Sequence, residues 1–152
     1  MLAPLDRVHD AHLRVFMRAY GREMKRVHGL LSGMSDPDLG VEVHTPLGKA
    51  SACDVLMHML CFNERALDAV ATSEFDEPRL EPTCESEKVK EISGWFRDAE
   101  RKMASAFESY KGASVTHYLT TGEEKVTLVE LMDMLLARQS MLLGSLVTAL
   151  KK

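Results

Sequence analysis

Apolar positions recur along the chain with steps of three and four, the spacing of amphipathic helices. Val8, His12, Phe16, Ala19, Val27, Leu30 and Leu31 predict one face of a first helix over residues 5–34, with Arg7, Arg14, Arg18, Arg22 and Arg26 on its solvated side. Gly33 is placed to end it, and Pro37 to open a short turn after Ser35 or Asp36. "VEVHTPLGKA" reads as a connector. Ser51 and Asp54 have the spacing of a capping box and predict a second helix from Ser51 to Thr72. The polar stretch "SEFDEPRLEPTCES" follows as a loop.

Val89, Ile92, Phe96, Ala99, Met103, Ala106 and Tyr110 form the seam of a third helix over residues 85–111, closed by Gly112. "ASVTHYLTTGEEKV" is the one stretch with local β character and suggests a short hairpin around Gly122. Thr127 and Glu130 form a second capping box. The helix they open buries Leu128, Met132, Leu135, Leu142, Leu146 and Leu150, and runs to Lys151 and Lys152. No internal repeat or second domain is apparent. The expectation is an all-α chain folded as a single domain over residues 1–152, a four-helix bundle.

Composition adds mainly exclusions. The 152 residues are 45% hydrophobic and 28% charged, ordinary for a globular protein with one core. The net charge of −4 and the lack of a basic tract argue against nucleic acid as a partner. No apolar run reaches the roughly 18 residues of a membrane span. The opening "MLAPLDRVHD" does not read as a signal peptide, so the expected location is the cytoplasm. The odd count of three cysteines suits a reducing compartment. Cys53 and Cys61 lie about 12 Å apart along one helix, too far for a disulfide. Both read as buried small hydrophobes, and Cys84 as a more exposed loop thiol. The ten methionines read as core filler.

"SACDVLMHMLCFNE" and "VTLVELMDMLLARQSMLLGSLVTALK" carry a resemblance to the DinB-like (YfiT-like) helical bundles, a family named from a damage-inducible gene. In the first segment a capping serine is followed seven residues later by His58 and then by Glu64. The second, with Thr127 at its start and Gly144 in its later half, is similar to the family's fourth helix. The resemblance implies an up-down-down-up bundle, homodimers, a link to stress, and a divalent metal, nickel or zinc, held by three histidines. One histidine comes from the second helix and two from the fourth, four residues apart. The facial triad leaves open positions where a thiol can be activated, so relatives act as thiol transferases or hydrolases.

His58 stands at the second-helix position, but the other two fall on Arg138 and Leu142. Arginine stays protonated and leucine has no donor atom. Residues 127–152 contain no histidine.

His58 therefore has three readings. It is a core histidine left from an ancestral site; or part of a remodelled pocket with Arg138, Cys61 and Leu142 that takes a small anionic or thiol ligand; or one ligand of a nonstandard metal site with Cys61 and Asp133, Cys84 or His117. A fourth idea, Cys61 as a nucleophile with His58 as its base, needs an exposed, electropositive thiol.

Among the other histidines, His12 is expected on the bundle interior, and His9, His28, His44 and His117 at the surface. Trp95 is expected to be partly exposed. Met134, Ala137, Met141 and Gly144 form a second, partly apolar side of the fourth helix, fit for a homodimer contact. The expected function is a small-ligand-binding or non-catalytic protein without a cofactor. The alternatives are a metal-dependent thiol transferase or hydrolase with altered ligands, and a helix-face dimer acting as an interaction protein.

Overall fold

The computed structural model describes residues 7–151. Four long helices, α1 (Ala11–Ser32), α2 (Ala52–Thr72), α3 (Val89–Ser109) and α4 (Leu128–Leu150), share one hydrophobic core. Helices α1 and α2 each pack mainly against α3 and α4. Two antiparallel hairpins accompany them: β1 (Glu42–Thr45) with β2 (Gly48–Ser51), and β3 (Tyr118–Thr121) with β4 (Glu124–Thr127). The fold is therefore mainly helical, with two small sheets that an all-α reading omits.

The first helix is shorter than its apolar pattern. Asp10 caps it, its carboxylate accepting from the Leu13 amide (2.9 Å) and also from the Ser114 amide (2.7 Å). Val8 is buried ahead of this helix, and Leu5 lies outside the described residues. Gly33 closes the helix, and Pro37 lies in a short 3-10 turn over Asp36–Gly40. His12 is exposed rather than interior. Helix α3 is also shorter than predicted at both ends, and Phe107 rather than Ala106 occupies its last buried position. Helix α4 runs to Leu150 with the expected core stripe, apart from a half-buried Leu150, while Lys152 lies outside the described residues.

The stretch expected to be a connector forms β1 and β2, with Gly48 at φ 125°, a backbone region that favours glycine. This reveals a repeat that residue identities conceal. Glu42 pairs with Ser51, and Tyr118 pairs with Thr127, so each hairpin spans the same number of residues. In each case the last strand residue is also the N-cap of the next helix. Ser51 accepts from the Asp54 amide at 3.1 Å, and Thr127 from the Glu130 amide at 3.3 Å. Replacing Thr127 with alanine is expected to cost about 1 kcal/mol, read from the urea midpoint; an unchanged midpoint would show that the cap contributes nothing.

Of these two caps, only that of α4 closes into a full capping box, with the Glu130 carboxylate accepting from the Thr127 amide at 3.3 Å. At α2 the Asp54 carboxylate instead accepts from the Thr83 and Cys84 amides, at 3.0 and 2.9 Å. It thereby pins the segment over residues 73–88, which crosses from α2 to α3. Cys84 in that segment forms a disulfide with Cys53, with Cα atoms 5.4 Å apart. The expectation of a buried thiol at Cys53 and a free thiol at Cys84 is thus corrected, and the argument from cysteine count to a reducing compartment falls with it. Only Cys61 remains a free thiol, and it is half-buried. Among the described residues no helix is long and apolar enough to cross a membrane.

Candidate functional site

His58 sits on the second turn of α2, only 3% exposed. Its Nε2 lies 3.2 Å from Nη1 of Arg138, which projects from α4. A guanidinium only donates, so Nε2 accepts and the ring proton resides on Nδ1. That Nδ1 is buried without a well-formed hydrogen-bond partner. Arg138 is held from two further directions: its guanidinium lies 5.3 Å over the Phe62 ring and forms an ion pair with Glu77. Nε2 of His58 thus faces an internal cation whose charge Glu77 offsets.

Burial holds the His58 imidazole below its ordinary value; a backbone interaction with Arg79 acts in the opposite direction, and the Arg138 charge adds to the lowering. The folded state therefore prefers neutral His58. The stability this gives is present above the unfolded value near 6.5 and is lost as pH falls through it toward the lower folded value. The wild-type urea midpoint is expected to fall over that window more steeply than that of His58→Gln. Parallel curves for the two proteins would refute this assignment.

Beside His58 a cavity of about 500 Å³ opens between α2, α3 and the 73–88 segment. Met57, His58 and Cys61 line it from α2, Trp95 and Lys102 from α3, and Arg79 from the crossing segment. Of the four residues expected to form a pocket, His58 and Cys61 border this space. Arg138 reaches it only through His58, and Leu142 is fully buried in the core. Trp95 is partly exposed as expected.

The nonstandard metal set does not assemble. Cys84 is in the disulfide, Asp133 is exposed, and His117 has both ring nitrogens engaged elsewhere. Among the described residues no three histidine, cysteine, aspartate or glutamate side chains gather in a metal-binding group. His117 is half-buried rather than a free surface residue: it meets Ser73 Oγ at 3.0 Å and the Tyr110 hydroxyl at 2.8 Å, and stacks on the Tyr110 ring. These contacts fasten β3 to the ends of α2 and α3. His28 is likewise half-buried, 3.1 Å from Glu100, whereas His9 and His44 are exposed.

Sequence reading missed one polar cluster in the core. The Tyr20 hydroxyl donates to Asn63 Oδ1 (2.7 Å), and Asn63 Nδ2 donates to the Met59 carbonyl (2.8 Å) and to Gln139 Oε1 (3.1 Å). All three side chains are at most 1% exposed. Asn63 and Gln139 interrupting apolar helical stripes was the available signal.

Fold and site together describe a mainly helical protein with a buried histidine–arginine pair beside a cavity. No known family model matches the chain, and no curated protein or solved structure matches it either.

Proposed function

We propose that this chain is a bundle protein of the DinB/YfiT-like type whose metal site has degenerated, and that it binds a small organic ligand without catalysing a reaction on it. The observation that carries the reading is the bond between Arg138 and His58 Nε2. A metal would need a free nitrogen lone pair on His58, and the accepted hydrogen bond occupies the one on Nε2. The up-down-down-up course is supported by Phe16, early in α1, meeting Phe107 at the end of α3. It is also supported by Cys53 at the start of α2 being joined to Cys84, just ahead of α3.

The cavity suits a compact ligand with an apolar body and a hydrogen-bond acceptor. Met57 and Trp95 offer apolar surface, and the buried Nδ1–H of His58, whose contact with the Arg79 backbone falls short of a well-formed hydrogen bond, offers a donor. Arg65, Arg79 and Lys102 border the same space and can partner an anionic group, although Glu64, Glu81, Glu85 and Asp98 line it too. The expected homodimer belongs to this reading as well. Of the face expected for it, Met134, Ala137 and Gly144 lie exposed along α4 while Met141 is half-buried; light scattering at high concentration tests it, with a monomer ruling it out.

Trp95 is the single tryptophan of the chain and lines the cavity, so its fluorescence reports occupancy. A screen of small carboxylates, phosphates and thiols is expected to yield compounds that shift this emission saturably. The shift should disappear in Cys61→Phe, which fills the cavity from one side. No saturable shift across the screen, or one that persists in Cys61→Phe, would overturn the ligand-binding reading.

A further inference from the structure

The segment that roofs the cavity is fastened at both ends by different chemistry. Near α2, Phe75 donates from its amide to the Thr120 carbonyl at 2.9 Å, Arg65 donates to the Asp76 carbonyl at 3.1 Å, and Glu77 pairs with Arg138. Near α3, the fastenings are the Cys53–Cys84 disulfide and the two amides bound by Asp54. Between them Pro78, Arg79 and Glu81 form the cavity wall facing Cys61 and Trp95. The one covalent link holding this wall is therefore the disulfide.

The two sulfurs differ in access. Cys53 is 2% exposed, whereas Cys84 lies on the exposed side of the strap. Cys53 is also the second residue of α2, where free backbone amides stabilise a thiolate. An incoming thiolate therefore has a reachable sulfur at Cys84 and a good leaving group at Cys53.

We propose that Cys53–Cys84 is a thiol–disulfide exchange site, and that its reduction by a dithiol frees the strap and opens the cavity between α2 and α3. A thiolate of the reductant attacks Sγ of Cys84, the Cys53–Cys84 bond breaks, and Cys53 departs as a thiolate that takes up a proton. The second thiol of the reductant then attacks its own sulfur in the mixed disulfide and releases Cys84. Two electrons and two protons pass to the protein, and the reductant leaves as its disulfide. What remains at that end is the pair of exposed hydrogen bonds to Asp54, the partial packing of Leu80 and the burial of Ser86, too weak a tether to keep the 79–84 stretch closed.

The consequence for ligand binding rests on the proposed function, but the latch is read without any ligand. Cys61 lines the cavity and is the free thiol, so its alkylation by iodoacetamide, followed by mass spectrometry of its peptide, measures access. Three samples are compared: oxidised wild type, wild type reduced with a phosphine, and the Cys53→Ser/Cys84→Ser double variant. Circular dichroism confirms that each is folded.

Both opened forms are expected to label at Cys61 about tenfold faster than oxidised wild type, the effect of a local opening. Equal rates in all three would overturn the proposal. So would acceleration in the double variant alone, or three free thiols in protein purified without reductant. The latch can fail in this way while ligand-induced changes in Trp95 emission persist, and the reverse is equally readable.

Discussion

Replacing Asn63 with alanine is expected to lower the stability of the fold by about 2–4 kcal/mol, read from urea unfolding. The loss has two sources. The truncation opens a small void in a site with no solvent exposure. It also strands the Tyr20 hydroxyl and the Gln139 amide, each losing a partner where water does not reach. Burial, with the nearby Glu100 charge, holds the Tyr20 phenol far above its ordinary value, so it remains a donor at every working pH.

Tyr20→Phe alone is expected to cost about 1–2 kcal/mol, because Asn63 keeps its other bonds. In the Asn63→Ala background the same change should cost much less, since its bond is already gone. Additive losses, or a loss below about 1 kcal/mol for Asn63→Ala, would mean that the cluster does not tie α1, α2 and α4 together.

The second large effect is a gain. Arg138→His with Leu142→His is expected to make the chain bind about one equivalent of nickel or zinc, because residues four apart share a helix face and His58 supplies the third nitrogen. The change removes the guanidinium that occupies His58 Nε2 and frees Glu77. It also places an imidazole where Leu142 is fully buried. The apo double variant should therefore be less stable than wild type by about 2–4 kcal/mol, and metal should restore much of the loss by binding only the folded state. Titration calorimetry and thermal unfolding with and without nickel measure both. Failure to bind, in a variant that folds, would mean that positions 138 and 142 do not face His58 as the resemblance requires.

The helices were legible because burial imposes a period of three to four on apolar residues, and because Ser51 and Thr127 carry cap chemistry. Their ends were less so. Val8 and Tyr110 continue an apolar pattern without continuing a helix, since packing of a flanking segment uses the same residue types. The first hairpin went unread because "VEVHTPLGKA" has few alternating apolar positions; only Val43 of β1 is buried. The second hairpin was visible through Gly122, which adopts φ 63° there.

At the site, the nearness of Arg138 to His58 was expected only through the resemblance, which sets position 138 opposite His58. The shape of the cavity did not, because residues 73–88 form its wall and have no periodicity to read. Cys84 was misjudged for the same reason: spacing along a helix rules out pairings within that helix, but says nothing about a loop that folds back over it. Asp54 likewise has the spacing of a capping-box partner, yet its carboxylate is used by the strap.

The central claim is that Arg138 has taken the place a metal would hold beside His58. Elemental analysis of wild-type protein, purified without added metal or chelator, tests it most directly. The account predicts far less than one equivalent of any transition metal, with no difference between wild type and His58→Ala. About one equivalent of nickel or zinc in wild type, lost on changing His58 to alanine, would contradict it.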